Sequence, residues 1–377
     1  MMRKKVERNK IIKVAFFIDD ITKDGGTERC TAVLSNLLAG RGFDVSILSI
    51  NTSKKRSKYE IDSNVNVKTF NLKKIENAVS RRMKTFKYLG HEIMRGGGYD
   101  VIVVVDTYKS LCFVPFMPLL KTTKTKLISW EHFNYNFGDK HSPRWWGRKV
   151  AAKISDAVVV LSKADYDVWK ADVKHKERLK QIYNFPCFDL EKPRFDVECK
   201  TVLAVGRLEE QKGFDYLLDI WKFIENDKDL NEWKLQVVGS GSLEQQLRDK
   251  ENNLRLKRVK WLPFTEHIEE CYKNASIYVM SSRFEGFALV LLEAKAFGLP
   301  IVSFDIKNGP NEIVQNGVNG YIVPPFDISM FAESLKVLMK DDKLRAHFTE
   351  DSQRNMYQFS KDKIVANWIQ LLEKLTE

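Results

Sequence analysis

Ten short runs of β-branched and other apolar residues recur along the whole chain, each followed by a longer stretch of helical spacing. In the first half they are Val14–Ile18, Val45–Ile50, Val101–Val105, Leu127–Trp130 and Ala157–Leu161; in the second, Val202–Val205, Leu235–Val238, Val259–Leu262, Ile277–Met280 and Ile301–Phe304. Runs this continuous suit strands covered on both faces. Their alternation with helices makes the expected fold class α/β, with two doubly wound parallel sheets. The pattern breaks between Asn184 and Thr201, where Pro186 and Pro193 sit among charges without any period. This segment reads as an interdomain linker. A last helical stretch, Lys361–Leu375, carries Ile364, Val365, Trp368, Ile369, Leu371, Leu372 and Leu375 on a face that needs a partner.

A length of 377 residues suits two domains, and 44% hydrophobic with 30% charged residues is a folded composition. The longest apolar run, Leu111–Leu120, contains two prolines and falls short of the ~18 residues that suggest a membrane span. The basic start followed by IIKVAFFI imitates a secretory leader. Lys13 interrupts it, however, and Asp19 and Asp20 end it, so it reads as a first strand and the chain is expected to stay in the cytoplasm. The five cysteines form no CxxC pair, which argues against a zinc site or disulfide framework.

Net charge is +12, unevenly distributed. Residues 1–190 hold 36 Lys/Arg against 20 Asp/Glu; the remainder holds 26 against 30. The front half is expected to face something anionic: nucleic acid, a phosphorylated acceptor or a membrane surface. Lys54–Lys58, Arg81–Lys87 and Arg144-Trp145-Trp146-Gly147-Arg148-Lys149 are the basic stretches. Aromatic residues beside cations favour a water–lipid boundary, although core packing of Trp145 and Trp146 fits equally well.

Ligands of doubly wound sheets sit at the carboxyl ends of the strands, and in a two-domain chain the interdomain cleft is the expected site. After the first strand, Asp24-Gly25-Gly26-Thr27-Glu28-Arg29 precedes a helix. Its glycines let backbone approach an anion, yet the pair reads as easily as a plain turn. GxGxxG is absent, which disfavours a nicotinamide oxidoreductase. Ser129-Trp130-Glu131-His132 follows another strand, where an imidazole could exchange a proton near neutral pH or simply bond structurally. Arg207 and Lys212, bounded by Gly206 and Gly213, could clamp a pyrophosphate or pair with Glu209 and Glu210 at the surface. In Ser281–Ala294, Glu285 lies in a glycine-containing loop and Glu293 about two turns into a helix. Between them Gly286, Phe287, Ala288 and Leu289 offer helix-start amides, and a carboxylate at Glu293 suits the vicinal hydroxyls of a ribose. Asp165-Tyr166-Asp167 spells a DxD, but Ser162 before it is a plausible N-cap, so it reads as a first helical turn rather than a metal site.

Together these segments resemble family-4 glycosyltransferases, which have the GT-B fold: two Rossmann-like domains with an interdomain cleft. Gly25-Gly26-Thr27-Glu28-Arg29 resembles the GGxER loop, and Gly206-Arg207-Leu208 with Lys212-Gly213 the GRL…KG element. Glu285–Glu293 resembles E-x7-E. Asn308-Gly309-Pro310-Asn311-Glu312-Ile313 with Asn316-Gly317-Val318-Asn319-Gly320 resembles GPxEII…GxNG. The resemblance implies an acceptor domain over 1–188, joined by the helix 358–377, and a donor domain over 189–357. It also implies retaining transfer of a hexose or N-acetylhexosamine from a nucleotide diphosphate sugar, expected to be UDP-linked, with no metal or other cofactor. By this resemblance Arg207 and Lys212 hold the pyrophosphate and Glu293 the ribose. Glu285, with the amides of Gly286, Phe287 and Ala288, orients the sugar. His132 faces its outer hydroxyl or the reaction centre, and Gly26 lines the acceptor side. Leu262 and Phe264 belong to a loop placed to touch the base. The expected acceptor is a saccharide on polyprenyl diphosphate, in surface polysaccharide or lipid-linked oligosaccharide synthesis, with the first domain peripheral on an anionic inner leaflet. Alternatives are a sugar-nucleotide epimerase of the same fold, a GDP-mannose-dependent mannosyltransferase, a non-catalytic nucleotide-sugar sensor and a nucleic-acid binder. The last has no recognition motif. A phosphorylase would need a pyridoxal-phosphate lysine in a recognisable setting, and none is found.

Overall fold

The structure is a computed structural model describing residues 11–72, 78–94, 98–186 and 188–377. Cys187 and part of the basic stretch Arg81–Lys87, the Arg82 side chain, lie outside the description. The chain divides into two compact units, one of residues 1–161, 166–182 and 362–377, the other of 162–165 and 183–361.

The first unit holds β1 (Lys13–Ile18), β2 (Asp44–Ser49), β3 (Val65–Thr69), β4 (Val101–Val105), β5 (Lys126–Trp130), β6 (Ala157–Val160) and β7 (Leu179–Gln181). They form one sheet in the order β3-β2-β1-β4-β5-β6-β7, each pair parallel. The second holds β8 (Thr201–Val205), β9 (Lys234–Val238), β10 (Val259–Leu262), β11 (Ile277–Met280), β12 (Ile301–Phe304) and β13 (Gly320–Val323). Its order is β10-β9-β8-β11-β12-β13, again parallel. Each sheet therefore reverses its winding once, at β1/β4 and at β8/β11.

All ten apolar runs are strands. The central ones are continuous because helices cover both faces: every residue of β4 is buried, and so is every residue of β11 and β12. Three strands escaped the sequence reading, and all three are sheet edges. In β3 (VNVKT) only Val65 is buried, in β7 (LKQ) only Leu179, and β13 is buried at its two ends alone. A strand at a sheet edge is less completely covered than a central one, so composition carries less of its signal.

The final helix, Lys361–Thr376, buries Ile364, Val365, Trp368, Leu371 and Leu372. Trp368 meets Trp130 edge-on, ring centroids 5.0 Å apart, and both are 1% exposed. That contact satisfies the apolar face on the sheet carrying β5. Between Asn184 and Lys200 the described residues have no regular structure. No helix among the described residues is long and apolar enough to cross a membrane.

Candidate active site

In the second unit the loops after β8 and β11, the two strands flanking the reversal, are tied together. Lys212 Nζ donates to Glu285 Oε1 at 2.6 Å. Glu285 also accepts from Ser282 Oγ at 2.8 Å and Gln211 Nε2 at 3.3 Å, and it is buried. Arg283 donates twice to Asp215 at 2.7 Å and once to the Glu210 carbonyl, with Tyr216 beneath its guanidinium. Gly213 has φ +61°, and a Cβ there would stand 2.1 Å from the Ser281 carbonyl oxygen. The two loops touch only because this residue lacks a side chain. Lys212 thus departs from the surface pairing with Glu209 or Glu210. Glu209 instead accepts from Ser242. Arg207 is exposed on the same loop.

The helix Leu289–Ala296 begins directly after this cluster. Among the described residues the amides of Gly286, Phe287 and Ala288 have no protein acceptor, whereas the Leu289 amide donates to the Phe287 carbonyl at 2.8 Å. Three of the four expected amides are therefore open. Gly309, φ +110°, lies beside them, its Cβ position 3.2 Å from Ala288 N. Glu293 is buried and accepts from Tyr272 Oη at 2.9 Å. Burial, with Glu293 nearby, holds the Tyr278 phenol well above its usual range. Leu262 accepts the Gly239 amide through its carbonyl; the Phe264 ring is half-exposed. Glu312, quoted in a motif but given no role, accepts from the Lys163 and Ala164 amides and from Tyr183 Oη, capping the helix Lys163–Trp169. Ser162 Oγ accepts the Asp165 amide there at 3.0 Å, and Asp165 accepts from Asn308. The DxD is a capped first turn, as expected. Among the described residues no cluster of His, Cys, Asp and Glu could hold a metal ion.

In the first unit Gly25 caps the helix Gly26–Ala39. A Cβ on Gly25 would stand 2.3 Å from Glu28 Oε2: the carboxylate folds back over the glycine. Burial pushes the Glu28 carboxyl up. After β5, Glu131 accepts from Arg148 Nε (2.9 Å), Thr107 Oγ1 (2.6 Å) and the amides of His132 and Phe133. Arg148 spends its other nitrogens on the carbonyls of Asn134, Tyr135 and Phe137, so one buried ion pair pins the whole turn. Asp106, at φ +74°, accepts both Nη atoms of Arg144 at 2.7 and 3.0 Å.

Two expectations are corrected by this network. The cations of the stretch Arg144–Lys149 do not form a free basic patch: Arg144 pairs with Asp106, Arg148 with Glu131 and Lys149 with Asp172. His132, on the Trp130 ring at 4.2 Å between centroids, does not titrate near neutrality. Burial drives its pKa down to about 3, with Lys109 adding to the effect and Asp106 opposing it. The ring is therefore neutral at physiological pH. Sequence reasoning quoted Glu131, Gln211 and Ser282 within motifs but gave them no role, and it did not single out Asp106 or Lys109. Their only signal is position just after a strand.

The glycosyltransferase family 4 model matches residues 24–185 and the glycosyl transferases group 1 model residues 188–355. An uncharacterized glycosyltransferase of Haemophilus influenzae is 32% identical, covering 94% of this chain and 98% of its own. The chain belongs to the family-4 glycosyltransferases. Other relatives of this glycosyltransferase are the amylovoran biosynthesis glycosyltransferase AmsD of Erwinia amylovora, at 29% identity over 96% of this chain and 99% of its own, and a Campylobacter jejuni α-1,4-N-acetyl-D-galactosaminyltransferase named for a diNAcBac-PP-undecaprenol-linked acceptor, at 26% over 97% and 99%. Sucrose-phosphate synthase of Thermosynechococcus elongatus superposes with TM-score 0.82 at 18% identity, covering 97% and 99%, which establishes the shared GT-B fold.

Proposed function

We propose that this enzyme moves a hexose or N-acetylhexosamine from a UDP-sugar to a saccharide carried on polyprenyl diphosphate, with retention at the anomeric carbon, in the synthesis of a bacterial surface polysaccharide or lipid-linked oligosaccharide. The reading rests chiefly on the Lys212–Glu285 ion pair at the β8/β11 reversal, set beside three open amides. The names of the Erwinia and Campylobacter relatives support the pathway and acceptor classes.

In this reading the bond from the anomeric carbon to the diphosphate breaks with its electron pair passing to the phosphate oxygen. Arg207, Lys212 and the amides of Gly286, Phe287 and Ala288 stabilise that charge. Lys212 has three N–H donors, so its bond to Glu285 leaves two for the diphosphate. Glu285 orients the sugar, Glu293 takes the ribose hydroxyls, and Leu262 and Phe264 border the base. Neutral His132 bonds the sugar's outer hydroxyl, and Gly26 lines the acceptor side. The acceptor oxygen attacks from the face the phosphate leaves, and its proton passes to that phosphate. No metal is needed for these steps. Peripheral attachment to an anionic leaflet falls to the helix Ala78–Met94, where Met83 and Tyr88 are exposed beside Lys84 and Lys87.

A thermal-shift screen of UDP-GlcNAc, UDP-GalNAc, UDP-glucose, UDP-galactose and GDP-mannose tests the donor, since a bound donor raises the midpoint with its affinity. Proton NMR of the product made from a synthetic polyprenyl-diphosphate saccharide reads the anomeric outcome. Stabilisation by GDP-mannose alone would move the reading to a mannosyltransferase, and turnover without an acceptor to an epimerase. Loss of transfer in EDTA would overturn metal independence. Failure to sediment with anionic vesicles at low salt would overturn membrane attachment.

A further inference from the structure

At the carboxyl ends of β4 and β5 stand a buried imidazole nitrogen without a hydrogen-bond partner among the described residues, His132 Nε2, and an ammonium, Lys109 Nζ, held there by one long ion pair. Lys109 is 8% exposed. Its nearest carboxylate oxygen, Asp106 Oδ2, lies 3.7 Å from Nζ, beyond a hydrogen bond, and Arg144 already grips that carboxylate from both sides. The Tyr108 ring, 5.7 Å away, offers the ammonium a weaker attraction. His132 Nε2 is buried with no partner at all.

The two groups are held in one structure. The Asp106 amide donates to the Trp130 carbonyl at 2.8 Å, and the Lys109 amide to the Asp106 carbonyl at 3.0 Å. Arg144 bridges the turns, bonding Asp106 and lying 3.9 Å from Glu131 Oε1, the oxygen that accepts the His132 amide. Lys109 also follows β4, beside the β1/β4 reversal where open α/β sheets bind ligands. Glu28 is also within electrostatic reach of Lys109. An ammonium held by a single 3.7 Å ion pair keeps its N–H donors for a ligand on this face.

We infer that Lys109, beside His132, forms a second anion subsite in the first unit, in which its ammonium binds a phosphate oxygen. The phosphate has two possible sources in the proposed reaction, the donor diphosphate and the polyprenyl diphosphate of the acceptor. The inference rests on that reading only for the identity of these ligands.

Calorimetric titration of UDP and of farnesyl diphosphate into wild type, Lys109→Met and Lys109→Arg separates the sources. Lys109→Met is expected to weaken one of the two probes at least tenfold, and Lys109→Arg to stay within about threefold of wild type. Loss of UDP affinity assigns the donor; loss of farnesyl diphosphate affinity assigns the acceptor. Lys109→Met binding both probes within twofold of wild type overturns the inference. Should that variant not fold, Lys109→Gln is judged by the same limits. These titrations need no turnover, so an enzyme that transfers no sugar yet loses phosphate binding in Lys109→Met would sink the proposed reaction and leave this subsite standing.

Discussion

Arg148 Nε donates to Glu131 Oε2 at 2.9 Å with both side chains almost wholly out of water, 2% and 1% exposed. Every remaining nitrogen of that guanidinium meets a carbonyl of the turn that carries His132. Removing one partner of such a pair strands the other, at a cost of about 3–5 kcal/mol. Arg148→Met is therefore expected to lower the unfolding midpoint sharply in a denaturant melt. Arg148→Lys should not rescue it, because one ammonium cannot reproduce the fork. A Lys variant as stable as wild type would show that the fork geometry is dispensable.

Lys212 and Glu285 should behave as one functional unit. Lys212→Ala and Glu285→Gln are each expected to lower kcat by about 10²–10³-fold, the scale of losing one preorganised charge-stabilising group. The double variant should be little worse than the poorer single one, because either change already dissolves the pair. Steady-state kinetics of all three variants checks this. Fully multiplicative losses would mean that the two side chains act independently.

The neutral state of His132 has consequences for pH. Its folded pKa of about 3 lies below the unfolded value near 6.5. Over that interval the unfolded chain binds the extra proton, so stability is lost as pH falls from about 6.5 towards 3. His132→Phe should flatten part of this acid slope. The kcat/KM profile of the wild type should show no limb near pH 6.5 from this residue, and a limb that disappears in His132→Gln would contradict its neutrality.

Lys295 gives a slope at the other end. It is 1% exposed, with Nζ donating to the carbonyls of Ile313 and Arg354 at 2.8 and 3.2 Å, and burial lowers its pKa to about 8. Between pH 8 and 10.5 the unfolded state holds the proton that the folded state has released. Stability from this group therefore rises with pH across that window, by about 3 kcal/mol in total. Denaturant melts at pH 7.5, 9 and 10.5 should show the rise in wild type and its absence in Lys295→Met.

Much of the molecule was legible before folding was considered. Buried central strands have to be apolar along their length, which made nine of the ten recognisable; the tenth, β10, lies at a sheet edge with no buried residue. Ligands of such sheets gather at loops that follow the strands, which singled out Arg207, Lys212, Glu285 and His132 as candidates. Local chemistry sufficed for the Ser162 cap as well, since it bonds an amide only three residues away. Three of the four edge strands stayed hidden because their incomplete burial relaxes the compositional constraint.

The partners of charges were beyond such reading. Lys212 was as free to pair with Glu209 as with Glu285, 73 residues away, until the β8/β11 crossing and the missing Cβ of Gly213 brought the loops together. The run Arg144–Lys149 spells a basic surface, yet its three cations serve Asp106, Glu131 and Asp172. Hydrophobic periodicity is a local property and survives in one dimension. Ion pairing and desolvation depend on distances of a few ångströms between residues far apart in the chain, and only the packed sheets and helices set those distances.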